Sequence, residues 1–154
     1  MYKEEFFHLV EKYFGYLISK QGFNLVHKQK FSHFDNQEVI FQSDACRIRV
    51  YVDRGEVYAD VAPLSPEEHC WIDLGTLIAY LKGNELDDSY DRIETPRHGD
   101  RMARLEPQVR QIAALLLDYC TQICALFSSK ELDQLCDKLK KFGLQRSKKL
   151  ARLE

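Results

Sequence analysis

The sequence predicts an α+β fold, with an N-terminal helix, a four-stranded antiparallel meander, and three or more C-terminal helices packed on one face of the sheet. Apolar and polar residues alternate over residues 23–64 in runs that turn signals separate, and apolar stripes at helical spacing lie on both sides of that region. Short connections between successive strands favour antiparallel pairing. A chain of 154 residues fits a single domain over residues 1–154.

Residues 46–64 predict a β-hairpin that turns at Arg54-Gly55. A two-residue turn places Arg49 opposite Asp60 and Tyr51 opposite Tyr58. This register gives the hairpin two different faces, because successive side chains of a strand point to opposite sides. The apolar face contains Cys46, Ile48, Val50, Val52, Val57, Ala59 and Val61. The polar face contains Arg47, Arg49, Tyr51, Tyr58 and Asp60.

The stretch before the hairpin predicts one helix and two strands. Residues 2–20 carry an apolar stripe that ends at Gly22, a residue that often closes a helix in the left-handed conformation. Residues 23–31 alternate as a half-buried strand does, although Val26 breaks the alternation. A turn then leads to a second strand over residues 38–42, which completes the meander.

The stretch after the hairpin predicts helices separated by a long charged loop. Ser65 begins a capping box and a helical turn. Asp73 then caps a helix that ends at Gly83. Residues 84–106 predict a loop, because charges of both signs alternate there with few apolar residues. Loops of this length are often functional or disordered.

Two further helices are predicted at the C-terminal end. The first covers residues 107–127 and begins at Pro107. It is apolar on two sides, so it either lies in the middle of the fold or also packs against another chain in a homodimer. Ser128 opens a second capping box and an amphipathic helix that precedes Gly143. The basic tail, residues 144–154, either frays or continues as helix.

The composition favours a cytoplasmic protein without a membrane span or a disulfide. The longest apolar run, residues 112–117, is far shorter than the roughly 20 residues of a membrane helix. Acidic residues interrupt the N-terminal stretch where a signal peptide needs an apolar core. Five cysteines without framework spacing are typical of free thiols. The net charge of −2 includes eight basic and four acidic residues over residues 129–154, a balance that does not demand nucleic acid.

The motifs present predict a non-enzymatic protein that needs no metal or cofactor. Cys120 and Cys124 lie one helical turn apart, but both fall on an apolar stripe, and structural zinc sites normally show a second ligand pair. The five histidines are scattered, and the sequence has no nucleophile elbow, phosphate loop or dinucleotide fingerprint. The acidic pair at residues 87–88 is predicted to face solvent, whereas general acid–base catalysis usually needs a shielded carboxylate.

Two groups of residues are candidates for partner binding. The polar face of the hairpin combines guanidinium groups with aromatic rings, which can stack on RNA bases or anchor a protein partner. The alternative is that these side chains pair with one another across the strands. Acidic side chains of the long loop suit a basic partner. The candidate residues are Arg47, Arg49, Tyr51, Tyr58 and Asp60 on the hairpin, and Asp87, Asp88 and Asp91 in the loop. The basic C-terminal segment suits phosphate or an acidic partner, or is a solvated helix face.

A resemblance to a protein family rests on the hairpin and the residues that follow it. The pattern contains Arg47-x-Arg49, the turn at residues 53–57, Pro63-Leu64, Trp71-x-Asp73-Leu74 and Leu81-x-Gly83. It resembles small bacterial α+β proteins of uncharacterised function, including immunity proteins of polymorphic toxin systems. The resemblance covers about 40 residues and implies a non-enzymatic protein that binds and blocks a toxin. It assigns no functional residues.

Three functional hypotheses follow from these residues. The leading one is a cytoplasmic protein-binding domain, immunity-like, that acts through surface complementarity. The alternative is a nucleic-acid-binding module that uses Arg47, Arg49 and Tyr51 together with the basic tail. The third is an enzyme whose site is assembled from distant residues such as His69, Asp60 and Arg49.

Overall fold

The computed structural model describes residues 4–64, 70–129 and 132–153. It confirms the predicted α+β fold, with an antiparallel sheet that has five strands in sequence order instead of four. The elements are α1 (Glu5–Lys20), β1 (Asn24–Lys30), β2 (Gln37–Gln42), β3 (Arg47–Asp53), β4 (Glu56–Ala62), β5 (Ile72–Asp73), α2 (Leu74–Lys82), α3 (Arg101–Phe127) and α4 (Leu132–Ala151).

The β3–β4 hairpin has the predicted register. Arg49 lies opposite Asp60, and Tyr51 lies opposite Tyr58. At the turn, Arg54 has φ 53° and Gly55 has φ 85°. A type I′ turn requires positive φ at both central residues, and glycine adopts this conformation without steric cost. The turn therefore fixes which side chains of the two strands share a face.

The irregular alternation in β1 has a structural cause. The register between β1 and β2 shifts between Leu25 and His27, so Val26 is the extra residue of a β-bulge. After the bulge, His27 lies opposite Ile40 and Lys28 lies opposite Val39. Val26 itself is 52% exposed.

The fifth strand, β5, was not predicted, because it has only two residues. Ile72 pairs with Val61, and Asp73 pairs with Asp60. Asp73 also caps α2 as predicted, since its Oδ2 accepts a hydrogen bond of 2.9 Å from the backbone N–H of Thr76. The predicted helical turn at Ser65 lies outside the described residues.

The core lies between the inner face of the sheet and the helices. The predicted apolar face of the hairpin is buried with the apolar stripes of α1, α2 and α3 in one hydrophobic cluster. The outward side chains of the hairpin do not belong to that cluster. The largest fully buried side chains are Phe6, Phe14, Phe23, Phe41, Leu9, Leu17, Ile48, Leu74, Leu77, Ile78, Leu105 and Ile112.

The predicted loop over residues 84–106 is too long, because α3 begins at Arg101 and not at Pro107. Asp100 caps this helix, since its Oδ1 accepts a hydrogen bond of 2.8 Å from the N–H of Ala103. The first turns of α3 carry charged side chains on their solvent side, whereas Leu105 is 1% exposed. Pro107 lies inside the helix, where its ring removes one backbone hydrogen bond.

Of the two alternatives for the segment after Gly143, the structure shows the helical one. Helix α4 continues to Ala151, so most of the basic tail over residues 144–154 is helical. A Cβ atom at Gly143 would lie 3.4 Å from Cγ2 of Thr76. This glycine therefore marks a close approach of α4 to α2.

Helix α3 packs mainly through one side. Its buried apolar residues are Leu105, Val109, Ile112, Ala113, Leu116, Cys120, Ile123 and Phe127. On the side predicted to be apolar as well, Leu117 is 49% exposed. By length and composition α3 could cross a membrane, the one helix of the described residues that could, but the core helix of a soluble protein meets the same criteria.

Candidate functional site

The candidate site is the outer face, which we define as the side of the sheet opposite the core. The strand register brings all five hairpin residues predicted for partner binding to this face: Arg47, Arg49, Tyr51, Tyr58 and Asp60. It adds Glu38, which lies opposite Tyr51 on β2. It also adds Trp71, whose ring contacts the guanidinium groups of Arg47 and Arg49. The alternation of β2 could have indicated Glu38, but no local pattern indicates the contacts of Trp71.

Arg49 is at the centre of the outer face. Its Nη2 lies 2.5 Å from Oδ2 of Asp60, and its Nη1 lies 3.6 Å from Oε1 of Glu38. Its Cζ is 4.8 Å from the ring centroid of Tyr51 and 4.4 Å from that of Trp71. Because two carboxylates and two rings hold one planar guanidinium group, the arrangement is rigid before any partner arrives.

Asp60 is the deepest charged group of this cluster, with the residue 6% exposed. Burial raises the pKa of its carboxyl above the ordinary value, although the hydrogen bond and charge of Arg49 act in the opposite direction. Desolvation of the carboxylate therefore outweighs the attraction of its partner. The ion pair with Arg49 offsets part of the energetic cost of burying this carboxylate.

The two tyrosines of the outer face stack on each other, with ring centroids 5.3 Å apart. Burial and the nearby charge of Asp60 raise the pKa of Tyr51 to about 12. The hydrogen bond that the Tyr58 hydroxyl donates to Glu56, together with partial burial, raises the pKa of Tyr58 to about 12. Both phenols therefore stay neutral donors at physiological pH.

Trp71 and Arg47 extend the cluster toward β5. The Cζ atom of Arg47 is 5.1 Å from the Trp71 ring centroid, and its Nε donates a hydrogen bond of 3.1 Å to the carbonyl oxygen of Pro63. Both side chains are half-buried. The stack of indole and guanidinium groups leaves part of a large aromatic surface accessible to a partner.

The outer face is acidic overall. The outward charged residues on the strands are the carboxylates Glu38, Asp53, Glu56, Asp60 and Asp73 and the guanidinium groups Arg47 and Arg49. Five carboxylates and two guanidinium groups give a net charge of −3 with histidine neutral. The side chains predicted to bind nucleic acid, Arg47, Arg49 and Tyr51, are therefore surrounded by more negative than positive charge.

A shallow cavity of about 340 Å³ lies at the turn end of the outer face and is lined by Phe31, Asn36, Gln37, Glu38, Arg49, Tyr51, Val52 and Asp53. In the described parts of the chain, no group of three or more His, Cys, Asp or Glu residues could hold a metal ion. Of the three residues proposed for a distant-residue enzyme site, Asp60 and Arg49 pair with each other. His69 lies outside the described residues.

The acidic loop residues predicted for partner binding are engaged within the chain. Asp87 is buried, contrary to its predicted solvent exposure, and its Oδ1 lies 2.9 Å from Nζ of Lys82. Although burial alone raises the pKa of Asp87, hydrogen bonds from Lys82 and Ser89 hold it below its ordinary value. Asp88 pairs with Arg92 in an exposed ion pair. The partners of Asp87 and Asp88 thus lie on α2 and within the loop itself.

The partner of the acidic loop is α4 of the same chain. Nη2 of Arg146 lies 2.5 Å from Oδ2 of Asp91 and 2.8 Å from the carbonyl oxygen of Asp87. Lys149 forms an ion pair with Glu85. Part of the basic segment that was predicted to meet phosphate or an acidic partner therefore holds the loop in place.

Comparisons of the chain with protein-family models, with curated protein sequences and with solved structures found no match.

Proposed function

We propose that this chain is a non-catalytic protein-binding domain whose outer face binds a basic surface of a partner protein. The observation that carries the proposal is the cluster of Trp71, Arg49 and Tyr51 on a face with five carboxylates and two guanidinium groups. Tryptophan, tyrosine and arginine are the residues that most often dominate protein–protein binding energy. Acidic surroundings favour a partner of opposite charge.

The rigidity of the cluster supports binding by preformed complementarity. Arg49 already contacts Asp60, Glu38 and two rings, and Tyr58 already donates to Glu56. Association therefore orders few additional side chains, which reduces the entropic cost of binding. A partner gains the aromatic surface and adds charge-assisted hydrogen bonds to the exposed carboxylates at the rim.

The same charges argue against the nucleic-acid alternative. Affinity for nucleic acid comes largely from basic side chains that neutralise phosphates. Here the guanidinium group of Arg49 is compensated by Asp60 and Glu38, and the outer face has a net charge of −3. Phosphate groups would meet repulsion at this surface.

A toxin is the partner class that the sequence resemblance implies. Immunity proteins bind and block their toxins by surface complementarity, and toxins that cleave nucleic acid present basic surfaces, which an acidic outer face suits. Under this proposal the protein acts in the cytoplasm, where it blocks the toxin without a catalytic step or a cofactor.

Charge reversal on the outer face tests the proposal. Asp53 and Glu56 are both exposed, so Asp53→Lys combined with Glu56→Lys changes the surface charge without removing a buried pair. Tagged wild-type protein and this variant are used to capture partners from the source cells. We expect a basic protein that the wild type retains and the variant loses.

Glu94→Lys is the matched control, because Glu94 is an exposed acidic residue outside the strands. It should retain the partner. A partner retained equally by the outer-face variant and the control would contradict the proposal. Fluorescence anisotropy with single-stranded RNA at low salt covers the alternative: salt-sensitive binding that Arg47→Ala abolishes would replace the proposed protein partner with nucleic acid.

A further inference from the structure

The cavity at the turn end of the outer face combines an open aromatic ring with two carboxylates. Its volume is about 340 Å³, and its lining includes Phe31, Glu38, Tyr51 and Asp53. Phe31 is 42% exposed, and within the described residues no other ring or cation stacks on it. Because the face of an aromatic ring and an ionised carboxylate both attract positive charge, the cavity has the chemistry of a site for an organic cation.

Asp53 retains an oxygen for a ligand. Its Oδ1 accepts a hydrogen bond of 2.9 Å from Nδ2 of Asn36 and lies 4.0 Å from Nε of Arg54. The side-chain hydrogen bonds and ion pairs that Asp53 forms with the described residues involve Oδ1 alone. Since half of the side chain is exposed, Oδ2 can accept a hydrogen bond from a ligand in the cavity.

Glu38 is held loosely by its neighbours. Its Oε1 lies 3.6 Å from Nη1 of Arg49, and its Oε2 lies 3.3 Å from Nε2 of His27. Both distances exceed the roughly 2.7–2.9 Å of a strong charge-assisted hydrogen bond. Arg49 is the one cation in the lining, and its Nη2 is paired with Asp60 outside the cavity. Two carboxylates against one compensated guanidinium group leave the cavity negative.

Hydrogen bonds fix the walls of the cavity before a ligand enters. The Phe31 N–H donates to the carbonyl oxygen of Asn36 at 2.8 Å, which closes the β1–β2 turn. The side chain of Asn36 joins this turn to the β3–β4 turn, because its Oδ1 accepts from the Arg54 N–H at 2.9 Å. From α3, Nη2 of Arg101 donates to the carbonyl oxygen of Asp35 at 2.9 Å. A ligand therefore meets a preformed site, which lowers the entropic cost of binding.

We propose that this cavity receives an arginine side chain of the partner protein, an inference that rests on the proposed protein-binding function. The guanidinium group of the partner pairs with Asp53 and Glu38 and stacks on the ring of Phe31. Arginine suits the cavity better than lysine, because a planar guanidinium group stacks on a ring and forms parallel hydrogen bonds to a carboxylate, whereas an ammonium group is a compact point charge.

A small probe tests the cavity without the partner. Acetyl-arginine amide is titrated into the full-length ¹⁵N-labelled protein at pH 7 and low salt, and backbone amide shifts are followed by NMR. We expect saturable shifts at Phe31, Glu38 and Asp53 with a Kd on the order of 1 mM, as for one stacked and charge-assisted contact. Acetyl-citrulline amide has the same shape without the charge, and it should give no saturable shift.

Two substitutions each remove one part of the site. Asp53→Asn removes a charge, and Phe31→Ala removes the ring, and both positions are exposed. Each should weaken binding of acetyl-arginine amide by about fivefold or more, whereas Glu94→Gln, the matched control outside the strands, should not. Equal binding of the arginine and citrulline probes, tighter binding of acetyl-lysine amide, or unchanged affinity in both variants would overturn the proposal.

The captured partner separates this inference from the proposed function. The double variant Phe31→Ala with Asp53→Asn should bind the partner about tenfold or more weakly than wild type does. A partner that Trp71→Ala loses but the double variant binds as wild type would retain the outer face and contradict the arginine site. Saturable binding of acetyl-arginine amide without any captured basic protein would retain the arginine site and contradict the proposed function.

Discussion

At the scale of single residues, Arg49 holds the outer face together. It compensates the buried charge of Asp60, and its guanidinium group contacts the rings of Tyr51 and Trp71. Arg47 stacks on the same tryptophan but donates to a backbone carbonyl group. The two arginines lie two residues apart and share a partner, so they form a matched pair of positions for mutation.

Arg49→Ala should lower the free energy of unfolding by about 3 kcal/mol at pH 7, because it leaves a buried carboxylate without its partner. Arg47→Ala should cost about 1 kcal/mol, as expected for one hydrogen bond and one cation–π contact. Urea denaturation of both variants measures the difference. Equal losses would show that Asp60 does not depend on Arg49.

The loss in Arg49→Ala should also depend on pH. The pKa of Asp60 is already raised in the folded protein. The protonated carboxyl group of Asp60 therefore contributes its full stability below the unfolded pKa, and this contribution is lost as pH rises through the folded pKa. Removing Arg49 raises that folded pKa further. The destabilisation of Arg49→Ala should therefore shrink when denaturation is repeated near pH 4, and a constant loss would contradict this assignment.

Tyr51 makes stability sensitive to alkaline pH. Its pKa rises from the ordinary value of 10.0 to about 12 in the folded protein. A raised pKa contributes stability that is full below pH 10 and is lost as pH rises toward 12. Tyr51→Phe should therefore reduce the fall in unfolding free energy between pH 9 and pH 11, measured by urea denaturation, and an unchanged fall would contradict this assignment.

At the scale of elements, β5 covers only part of the edge of β4, because it has two residues. Side chains from other elements cover the rest. Beyond β5, the edge of β4 is completed by hydrogen bonds with the loop between α2 and α3 and with α3 itself. The Val57 N–H donates to Oε1 of Gln108 at 3.0 Å, and the Ala59 N–H donates to the hydroxyl of Tyr90 at 3.2 Å. Nε2 of Gln108 also donates to the Gly55 carbonyl oxygen. These contacts stop the edge from pairing with another chain.

Gln108→Leu should lower the unfolding free energy by about 2 kcal/mol, because it leaves a buried N–H donor and a carbonyl acceptor without partners. Gln122→Leu is the control, since Gln122 is exposed on the same helix. Thermal denaturation followed by circular dichroism distinguishes the two variants. A loss in Gln108→Leu no larger than in the control would show that the edge is satisfied in another way.

The local sequence pattern predicted the β3–β4 hairpin, the strands before it and the helix that Asp73 caps, but not β5, the start of α3 or the contacts of Trp71. The alternation of apolar and polar residues and the two-residue turn at Arg54-Gly55 are enough to define the strand register, because both depend on neighbouring residues. The start of α3 was missed since its first turns are charged, although Asp100 is an N-cap signal. The stacking of Trp71 on Arg49 depends on the tertiary path of the chain, which no periodicity reports.

At the scale of the whole molecule, charge is divided between two surfaces. Arg146 and Lys149 of α4 pair with acidic groups of the loop between α2 and α3. The carboxylates of the outer face, by contrast, exceed its guanidinium groups. Acidic side chains of the loop between α2 and α3, one of the two surfaces predicted for partner binding, thus pair with basic groups of α2 and α4.

Among the described residues of α3, Leu117 is the large apolar side chain that is more than a third exposed. Leu117 is 49% exposed, but specific interfaces bury about 800 Å² on each partner. We therefore expect a monomer at micromolar concentrations by light scattering. A dimer that Leu117→Glu converts to a monomer would show that α3 is an interface after all.

The binding affinity of Trp71→Ala tests the role of the outer face most directly. Titration calorimetry with the captured partner compares this variant with wild type and with Glu94→Lys, after circular dichroism shows that each is folded. We expect Trp71→Ala to weaken binding by about 2 kcal/mol or more, or roughly thirtyfold, as for a central aromatic residue of an interface. Glu94→Lys should bind as wild type does. Equal affinities of all three proteins would show that the partner binds elsewhere on the molecule.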